Sequence, residues 1–159
     1  MLDDALFALE LPDLAATEAF AARLAAVLRP GDVVALEGPL GAGKSALARA
    51  AIRSLAGADI EVPSPTFNIV QTYETPAGEV WHVDLYRLGD PSELDELGLD
   101  EAFEHAIVLV EWPGLLGSQL PRDALTIRIE AGDTGDSRRA ILNGGGDWRA
   151  RLGDFDPAA

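Results

Sequence analysis

The residues best suited to chemistry surround Lys44, the only lysine in the chain. They form a complete GxxxxGK[ST] motif, which we call the glycine-rich loop. In order, the loop reads Gly38, Pro39, Leu40, Gly41, Ala42, Gly43, Lys44 and Ser45. In a loop of this kind, backbone N–H groups surround a polyphosphate, the lysine ammonium reaches its outer phosphates and the serine hydroxyl ligates a magnesium ion. The motif therefore predicts a nucleotide-phosphate site at residues 40–45.

The segments on either side of the glycine-rich loop have the order that the motif requires. The apolar run from Val33 to Leu36 predicts a strand that leads into the loop, and residues 45–53 predict a helix that leaves it. All other strong bases in the chain are arginines. A lysine at position 44 therefore indicates a site that needs a compact point charge.

Two acidic residues follow predicted strands and are candidates for the metal and for catalysis. Glu111 ends the continuous apolar run from Ala106 to Val110, which predicts a buried parallel strand. At the carboxyl edge of such a sheet, this carboxylate would hold magnesium directly or through water. Asp84 ends another strand and has two interpretations, as a group that positions or deprotonates the attacking water or as a second metal ligand. His82 shares a strand face with Asp84 and is interpreted as hydrogen-bonded beside the sheet.

The remaining segments predict an α/β fold around this site. A strand near residues 6–9 and a helix capped by Asp13 precede the loop. After the loop, the sequence predicts a hairpin over residues 67–73 and 80–85, a helix that begins at Asp90-Pro91, and strands over residues 125–130 and 139–142. We expect one domain over residues 1–159, with a mixed and largely parallel sheet flanked by helices. In this interpretation residues 144–159 form a loose tail with a short helix.

Composition limits the compartments in which this site would operate. The chain has 159 residues, of which 48% are hydrophobic, and it contains no cysteine. No apolar run approaches the roughly 18 residues that a membrane span requires. We therefore expect a cytoplasmic protein that does not associate with membranes.

The charge of the chain limits its partners. The chain has 27 acidic residues against 12 lysines and arginines, which gives a net charge of −15. Direct binding of tRNA or DNA needs several Lys or Arg contacts to phosphates, and the bases here are few and dispersed. The excess acid has two interpretations, a solubility feature and a docking surface for a basic partner, and it is densest over residues 90–104.

Four segments of the chain, taken in order, resemble one family. They are Leu40-Gly41-Ala42-Gly43-Lys44-Ser45, Ser64-Pro65-Thr66-Phe67, His82-Val83-Asp84-Leu85-Tyr86-Arg87-Leu88 with Asp90-Pro91, and Val110-Glu111-Trp112-Pro113. Together they resemble the bacterial TsaE family, the P-loop ATPases of tRNA threonylcarbamoyladenosine biosynthesis. The resemblance extends over roughly residues 13–142. The combination of Ser-Pro-Thr-Phe with His-x-Asp-x-Tyr-Arg makes it more specific than the glycine-rich loop alone.

The resemblance implies a single P-loop NTPase domain that binds ATP and Mg²⁺ and hydrolyses ATP. It also implies two protein partners, TsaB and TsaD, which transfer the threonylcarbamoyl group to adenosine 37 of tRNA. In that scheme this chain sustains turnover and does not carry the transferred group. The tRNA would be held by the partners, which agrees with the acidic charge of this chain.

The resemblance also assigns roles to individual residues. Ser45 and Glu111 match the magnesium ligands, and residues 41–45 match the phosphate cradle. Asp84 matches an acid that is important for hydrolysis. Thr17 matches a nucleotide contact, and Arg139 matches a basic residue near the nucleotide, with Arg138 as the alternative register.

Other positions depart from the family or stay open. Family members commonly have Asp at the position of Pro39 and Thr at the position of Ser45. The Ser64-Pro65-Thr66 segment is either a switch-like loop over the γ-phosphate or a plain connection. A small-molecule or nucleotide kinase is the competing function, although no arginine-rich lid follows Glu111 beyond Arg138 and Arg139. A module that binds nucleotide without hydrolysis is a third class.

Overall fold

The computed structural model of the chain describes residues 6–39, 41–57, 60–62 and 69–153. Leu40 and the Ser64-Pro65-Thr66 segment lie outside the described residues. The predictions for these positions therefore stay predictions.

In the described part of the chain, seven strands form one mixed sheet. The strands are β1 (Phe7–Leu11), β2 (Val33–Glu37), β3 (Val70–Thr75), β4 (Gly78–Asp84), β5 (Ile107–Glu111), β6 (Leu125–Ala131) and β7 (Arg138–Gly144). Their order across the sheet is β1-β7-β6-β2-β5-β4-β3. The four strands β6, β2, β5 and β4 are parallel to one another, whereas β7 pairs antiparallel with β6 and β1, and β3 pairs antiparallel with β4. The predicted α/β class with a mixed sheet is confirmed.

Helices cover both faces of this sheet. The α-helices are α1 (Leu14–Val27), α2 (Lys44–Ala56), α3 (Leu99–His105) and α4 (Trp148–Arg151), and 3-10 helices span Pro91–Leu97 and Pro113–Gln119. The predicted cap of α1 is present, since Asp13 accepts a hydrogen bond of 2.9 Å from the backbone N–H of Ala16. None of the helices in the described ranges has the length and apolarity that crossing a membrane requires.

The helix predicted from Asp90 takes a different form. Asp90 caps the segment as expected, but residues 91–97 are 3-10 helix and α3 begins only after Gly98. Gly98 has a φ of 76°, in the left-handed region, which interrupts a continuous α-helix. Within the 3-10 segment only Leu94 is buried, so little packing is available to select the α-helical form.

The alternating side chains of the central strands build a core on each face of the sheet. Val34 and Leu36 face α1 and α2, whereas Val33 faces the side that α3 covers. In the same way Leu109 and Val108 of β5 belong to opposite cores. Burial on both faces explains why these strands are continuous apolar runs.

The C-terminal end of the described chain is packed against the core. Trp148 and Leu152 are 2% and 0% exposed, although the sequence predicts a loose tail from Gly144 onward. The Trp148 indole donates a hydrogen bond to the carbonyl of Asp123, and Arg151 donates to both carboxylate oxygens of Asp32. Residues 144–153 are therefore tied to the core, and the predicted short helix in this segment is α4.

Candidate functional site

The glycine-rich loop connects the end of β2 to the start of α2, at the carboxyl edge of the parallel strands. Gly38 has a φ of +140°, and a Cβ atom there would lie 2.3 Å from the backbone oxygen of Ile129. Only glycine fits at this position, because the obstacle is backbone of the neighbouring strand β6. Gly43, with a φ of +107°, turns the chain into α2. The loop is therefore held against the sheet at its first residue.

The N-terminus of α2 is suited to an anionic ligand. Gly43 occupies the N-cap position, and no side chain in the described residues caps this helix. The first N–H groups of a helix have no partner within the helix, and the helix dipole places partial positive charge on them. This end of the 13-residue helix α2 therefore has the donors and the partial charge that phosphate oxygens require.

The ammonium group of Lys44 lies on the carboxyl edge of the sheet. Lys44 is only 5% exposed, and its Nζ donates hydrogen bonds to the carbonyls of Gly38 and Pro39, the latter at 3.0 Å. It also lies 3.9 Å from the centre of the Trp112 ring, which is a cation–π contact. Burial lowers the pKa of Lys44, and the nearby carboxylates of Glu111 and Asp84 oppose that shift.

A hydrogen-bonded chain joins α2 to strands β5 and β4. The hydroxyl of Ser45 donates to Oε1 of Glu111 at 2.7 Å, and Nε2 of His82 lies 2.6 Å from Oε2 of the same carboxylate. Glu111 is 2% exposed and His82 is completely buried. The two predicted magnesium ligands, Ser45 and Glu111, are thus in direct contact.

Asp84 and Glu111 are register partners on adjacent strands, but their environments differ. Burial raises the pKa of Glu111, and the hydrogen bonds from His82 and Ser45 outweigh that effect, so that this pKa lies below its ordinary value. Burial raises the pKa of Asp84, and the backbone N–H of Tyr86, which donates at 2.9 Å, only partly opposes it. Glu111 is therefore held as an anion, whereas Asp84 has an increased affinity for a proton.

The donor set around Ser45 fits magnesium with a nucleotide. No cluster of three or more His, Cys, Asp and Glu residues in the described ranges forms a protein cage for a metal ion. Magnesium does not need such a cage, because it is commonly bound by one or two protein oxygens together with phosphates and water. A hydroxyl and an ionised carboxylate 2.7 Å apart, at the N-terminus of a helix, supply those protein oxygens.

Two cavities open on opposite sides of the glycine-rich loop. The first, of about 440 Å³, contains Lys44, Ser45, Asp84 and Glu111, and we call it the acid cavity. The second, of about 420 Å³, contains Thr17 and the apolar side chains of Leu11, Leu14 and Ile129, and we call it the Thr17 cavity. Ala42, Gly43 and Ala46 line both cavities. The loop therefore lies between a cavity that contains Lys44 and two carboxylates and a cavity that combines apolar side chains with Asp13, Asp136 and Arg138.

The structure distinguishes the two arginines that the sequence left as alternatives. Arg138 donates from Nε to the carbonyl of Ala42 at 3.0 Å and lines the Thr17 cavity. Arg139 instead donates to Glu10 at 2.8 Å, and both side chains of this pair are about half exposed. Successive residues of a strand point to opposite faces, so only one of the two side chains can reach the loop. The alternative register, Arg138, is the one in contact with it.

Two aromatic residues belong to the site, although no role was predicted for them. Trp112 has a φ of 57°, the only positive φ of a non-glycine residue in the described ranges. Its ring contacts the ammonium of Lys44 and lies 5.0 Å from the ring of Tyr86. Such a backbone conformation costs of order 1–3 kcal/mol and persists where the surroundings hold it. Its position between a strand end and Pro113 was the available signal.

Comparison with known families gives a match over most of the chain. Residues 11–141 match the family described as threonylcarbamoyl adenosine biosynthesis protein TsaE. The matched residues include Thr17, the whole glycine-rich loop, Asp84, Glu111 and Arg138. The match therefore contains both cavities.

Individual relatives are similar over the same region. The tRNA threonylcarbamoyladenosine biosynthesis protein TsaE of Rickettsia bellii (strain RML369-C) is 40% identical over 114 residues, which cover 72% of this chain and 79% of that protein. The protein of the same name from Bacillus subtilis (strain 168) is 43% identical over 126 residues, covering 79% and 77%. The crystal structure of Bacillus subtilis YdiB superposes with a TM-score of 0.75 and 34% identity, covering 94% of this chain and 92% of that one.

Proposed function

The chain belongs to the TsaE family, whose members are components of the tRNA threonylcarbamoyladenosine pathway. From this premise we propose that the chain binds and hydrolyses Mg-ATP to support TsaB and TsaD. In this function the partners transfer the threonylcarbamoyl group to adenosine 37 of tRNA. The chain itself acts in the cytoplasm and contacts tRNA only through the complex. The glycine-rich loop and the two cavities beside it provide the physical argument.

The phosphates of ATP occupy the glycine-rich loop in this proposal. The uncapped N-terminus of α2 offers N–H groups to phosphate oxygens, and Lys44 adds the ammonium charge. Lys44 donates to backbone carbonyls of the same loop, so it needs only a short movement of its flexible side chain to reach a phosphate.

The nucleoside of ATP lies in the Thr17 cavity, and the outer phosphates lie toward the acid cavity. The Thr17 cavity has apolar walls from Leu11, Leu14 and Ile129, which suit a base and ribose better than a phosphate. Arg138 links this cavity to the loop through its hydrogen bond to Ala42. Lys44, Asp84 and Glu111 line the acid cavity on the other side, where the bond to the γ-phosphate would be broken.

Ser45 and Glu111 would hold the magnesium ion, which would supply charge neutralisation at the phosphates. The lowered pKa of Glu111 keeps this carboxylate ionised at neutral pH, as a metal ligand must be. Asp84 lies beside Glu111 on the neighbouring strand and lines the same cavity. With its raised pKa, Asp84 is suited to orient the attacking water and to accept its proton.

The single observation that carries the proposal is the contact of 2.7 Å between Ser45 and Glu111 at the N-terminus of α2. The test measures phosphate release from ATP by the isolated chain and by the chain mixed with TsaB and TsaD, with magnesium or with EDTA. We expect magnesium-dependent release that the partners increase. The proposal would be contradicted if neither the isolated chain nor the mixture with TsaB and TsaD hydrolysed ATP in magnesium. Transfer of phosphate to a small-molecule acceptor in place of water would also contradict it.

The chain offers a matched pair of variants for the binding part of this test. Arg138→Gln removes the hydrogen bond to the glycine-rich loop, whereas Arg139→Gln removes only the exposed pair with Glu10. We expect the Arg138 variant to bind ATP more weakly and the Arg139 variant to bind as the wild type does. Equal affinities for the two variants would argue against nucleotide binding beside Arg138.

A further inference from the structure

His82 is completely buried in the middle of the sheet. It lies on β4 between Gln71 of β3 and Leu109 of β5, and its exposed fraction is 0%. Burying an imidazole without compensating hydrogen bonds costs free energy. An apolar side chain at this position would avoid that cost. The histidine therefore needs an explanation in terms of what its ring nitrogens contact.

The two ring nitrogens of His82 differ in their contacts with the described residues. Nε2 lies 2.6 Å from Oε2 of Glu111. Nδ1 is also buried and has no hydrogen-bond partner among the described residues. Within the described part of the chain, the directional polar contact of the ring is the one with Glu111.

This contact fixes the orientation of the Glu111 carboxylate. Oε1 accepts the hydrogen bond from Ser45, and Oε2 takes the one with His82, so each oxygen has a separate partner. Both oxygens of a carboxylate are acceptors, so the tautomer that makes this bond carries its hydrogen on Nε2. The carboxylate then cannot rotate without losing one of two hydrogen bonds.

We propose that His82 is a positioning residue for the magnesium site: its Nε2–H holds Oε2 of Glu111, so that Oε1 faces Ser45 and the metal ion. This inference rests on the proposed function, since it assumes that Ser45 and Glu111 bind magnesium with a nucleotide. It assigns His82 no contact with the nucleotide or with the attacking water. His82 acts only through Glu111.

The effect of losing such a contact is measurable. Removing a hydrogen-bond partner of a metal ligand typically lowers metal affinity about 10- to 100-fold. The useful quantity is the magnesium coupling, which is the ratio of the dissociation constants of a non-hydrolysable ATP analogue in EDTA and in magnesium. A purely structural role of His82 would lower stability but would leave this ratio unchanged.

Three variants of the full chain separate these roles. His82→Leu removes the donor and keeps much of the volume. In His82→Gln an amide N–H₂ can reach the position of Nε2, whereas in His82→Asn the amide is one methylene shorter. We expect the coupling to fall about 10-fold or more in the Leu and Asn variants, and to be largely restored in the Gln variant.

A double-mutant cycle with Glu111→Gln tests whether His82 acts through Glu111. If it does, His82→Leu changes the coupling in the wild-type background and adds little in the Glu111→Gln background. An unchanged coupling in His82→Leu, or an equal further loss in the Glu111→Gln background, would overturn the inference. If His82→Leu does not fold, the comparison of Gln with Asn decides, and equal couplings for those two variants overturn it.

The same data distinguish this inference from the proposed function. If magnesium does not strengthen analogue binding to the wild-type chain, the proposed metal site is wrong and this inference fails with it. If magnesium strengthens binding to the wild type and to His82→Leu equally, only the role of His82 is wrong.

Discussion

The carboxyl ends of β4 and β5 carry the same chemical group in two different environments. Glu111, at the end of β5, is almost fully buried and accepts hydrogen bonds from two side chains. Asp84, its register partner at the end of β4, is partly exposed and accepts one bond from the backbone of Tyr86. Their pKa values move in opposite directions, downward for Glu111 and upward for Asp84.

The difference shows how adjacent carboxylates can take separate roles. A metal ligand has to remain ionised, and the donors Ser45 and His82 ensure this for Glu111 although burial opposes it. A group that accepts a proton during hydrolysis benefits from a higher proton affinity, which burial gives to Asp84. Two titratable groups whose environments separate their pKa values are a general sign of such a division. The predictions below test this division.

The largest expected effect is on hydrolysis in Asp84→Asn. The amide cannot accept a proton, so we expect kcat to fall by about 10²- to 10⁴-fold, while the affinity for Mg-ATP stays close to that of the wild type. Single-turnover phosphate release and calorimetric binding check the two parts separately. A large loss of Mg-ATP affinity with normal hydrolysis at saturation would show that Asp84 is the metal ligand.

Lys44→Ala is expected to have the next largest effect, on binding. Charge-assisted hydrogen bonds contribute roughly 1.5–3 kcal/mol, so affinity for Mg-ATP should fall by about 10- to 100-fold. The fold should remain intact, because the hydrogen bonds of the amine among the described residues go to carbonyls of the loop itself. Calorimetry and circular dichroism measure both outcomes. Unchanged ATP affinity in a folded variant would refute the phosphate site.

Glu111→Gln is expected to have a smaller and more selective effect. Because it removes a metal ligand, nucleotide affinity in magnesium should fall by about 10-fold, while affinity in EDTA should not fall. Asp84→Asn is the matched control, because its nucleotide affinities in magnesium and in EDTA should both stay close to those of the wild type. If the two variants exchanged these phenotypes, the roles of the two strand ends would have to be exchanged as well.

The smallest expected effects are on stability and its pH dependence. Glu111, whose pKa is lowered, stabilises the fold above its ordinary value of about 4.3, and this contribution is lost as the pH falls through the lowered pKa. Asp84, whose pKa is raised, destabilises the fold when ionised, and this cost disappears as the pH falls through the raised pKa. At pH 7, Asp84→Asn should therefore raise the unfolding temperature and Glu111→Gln should lower it.

Each of these shifts should amount to a few degrees in a domain of this size. The Asp84→Asn shift should shrink as the pH falls through the raised pKa of Asp84 toward its ordinary value of about 3.9. The Glu111→Gln shift should shrink only below about 4.3, as the pH falls through the lowered pKa of Glu111. Thermal unfolding followed by circular dichroism between neutral and acid pH measures them. Shifts of the same sign in the two variants would mean that the two carboxylates are not in opposed environments.

Local signals in the sequence were sufficient to predict most of the fold. Asp13 and Asp90 mark helix starts by capping chemistry, and the apolar run of β5 marks a buried strand. The order of strands across the sheet could not be predicted from local signals, because it depends on pairings between distant segments such as β1 and β7. The 3-10 form of residues 91–97 was also missed, since the capping residues are the same for both kinds of helix.

The candidate site was predictable wherever a motif fixes a residue. The glycine-rich loop, Asp84 and Glu111 could each be located on a strand end or a helix start. The choice between Arg138 and Arg139 could not be made, because a shift of one residue on β7 moves the side chain to the opposite face. The contact of His82 with Glu111 was not visible either, since it joins neighbouring strands 29 residues apart in sequence.

The salt bridge between Arg151 and Asp32 has a consequence for the dynamics of the chain. The guanidinium donates to both Asp32 oxygens and to the carbonyl of Val27, and it stacks on Trp148 at 4.1 Å. These contacts tie α4 to the turn between α1 and β2, and β2 leads into the glycine-rich loop. A short helix near a chain end ordinarily frays, and its amide hydrogens exchange rapidly with solvent. Here the amide of Leu152 should exchange with solvent as slowly as those of the central strands, in the same cooperative unit as the glycine-rich loop.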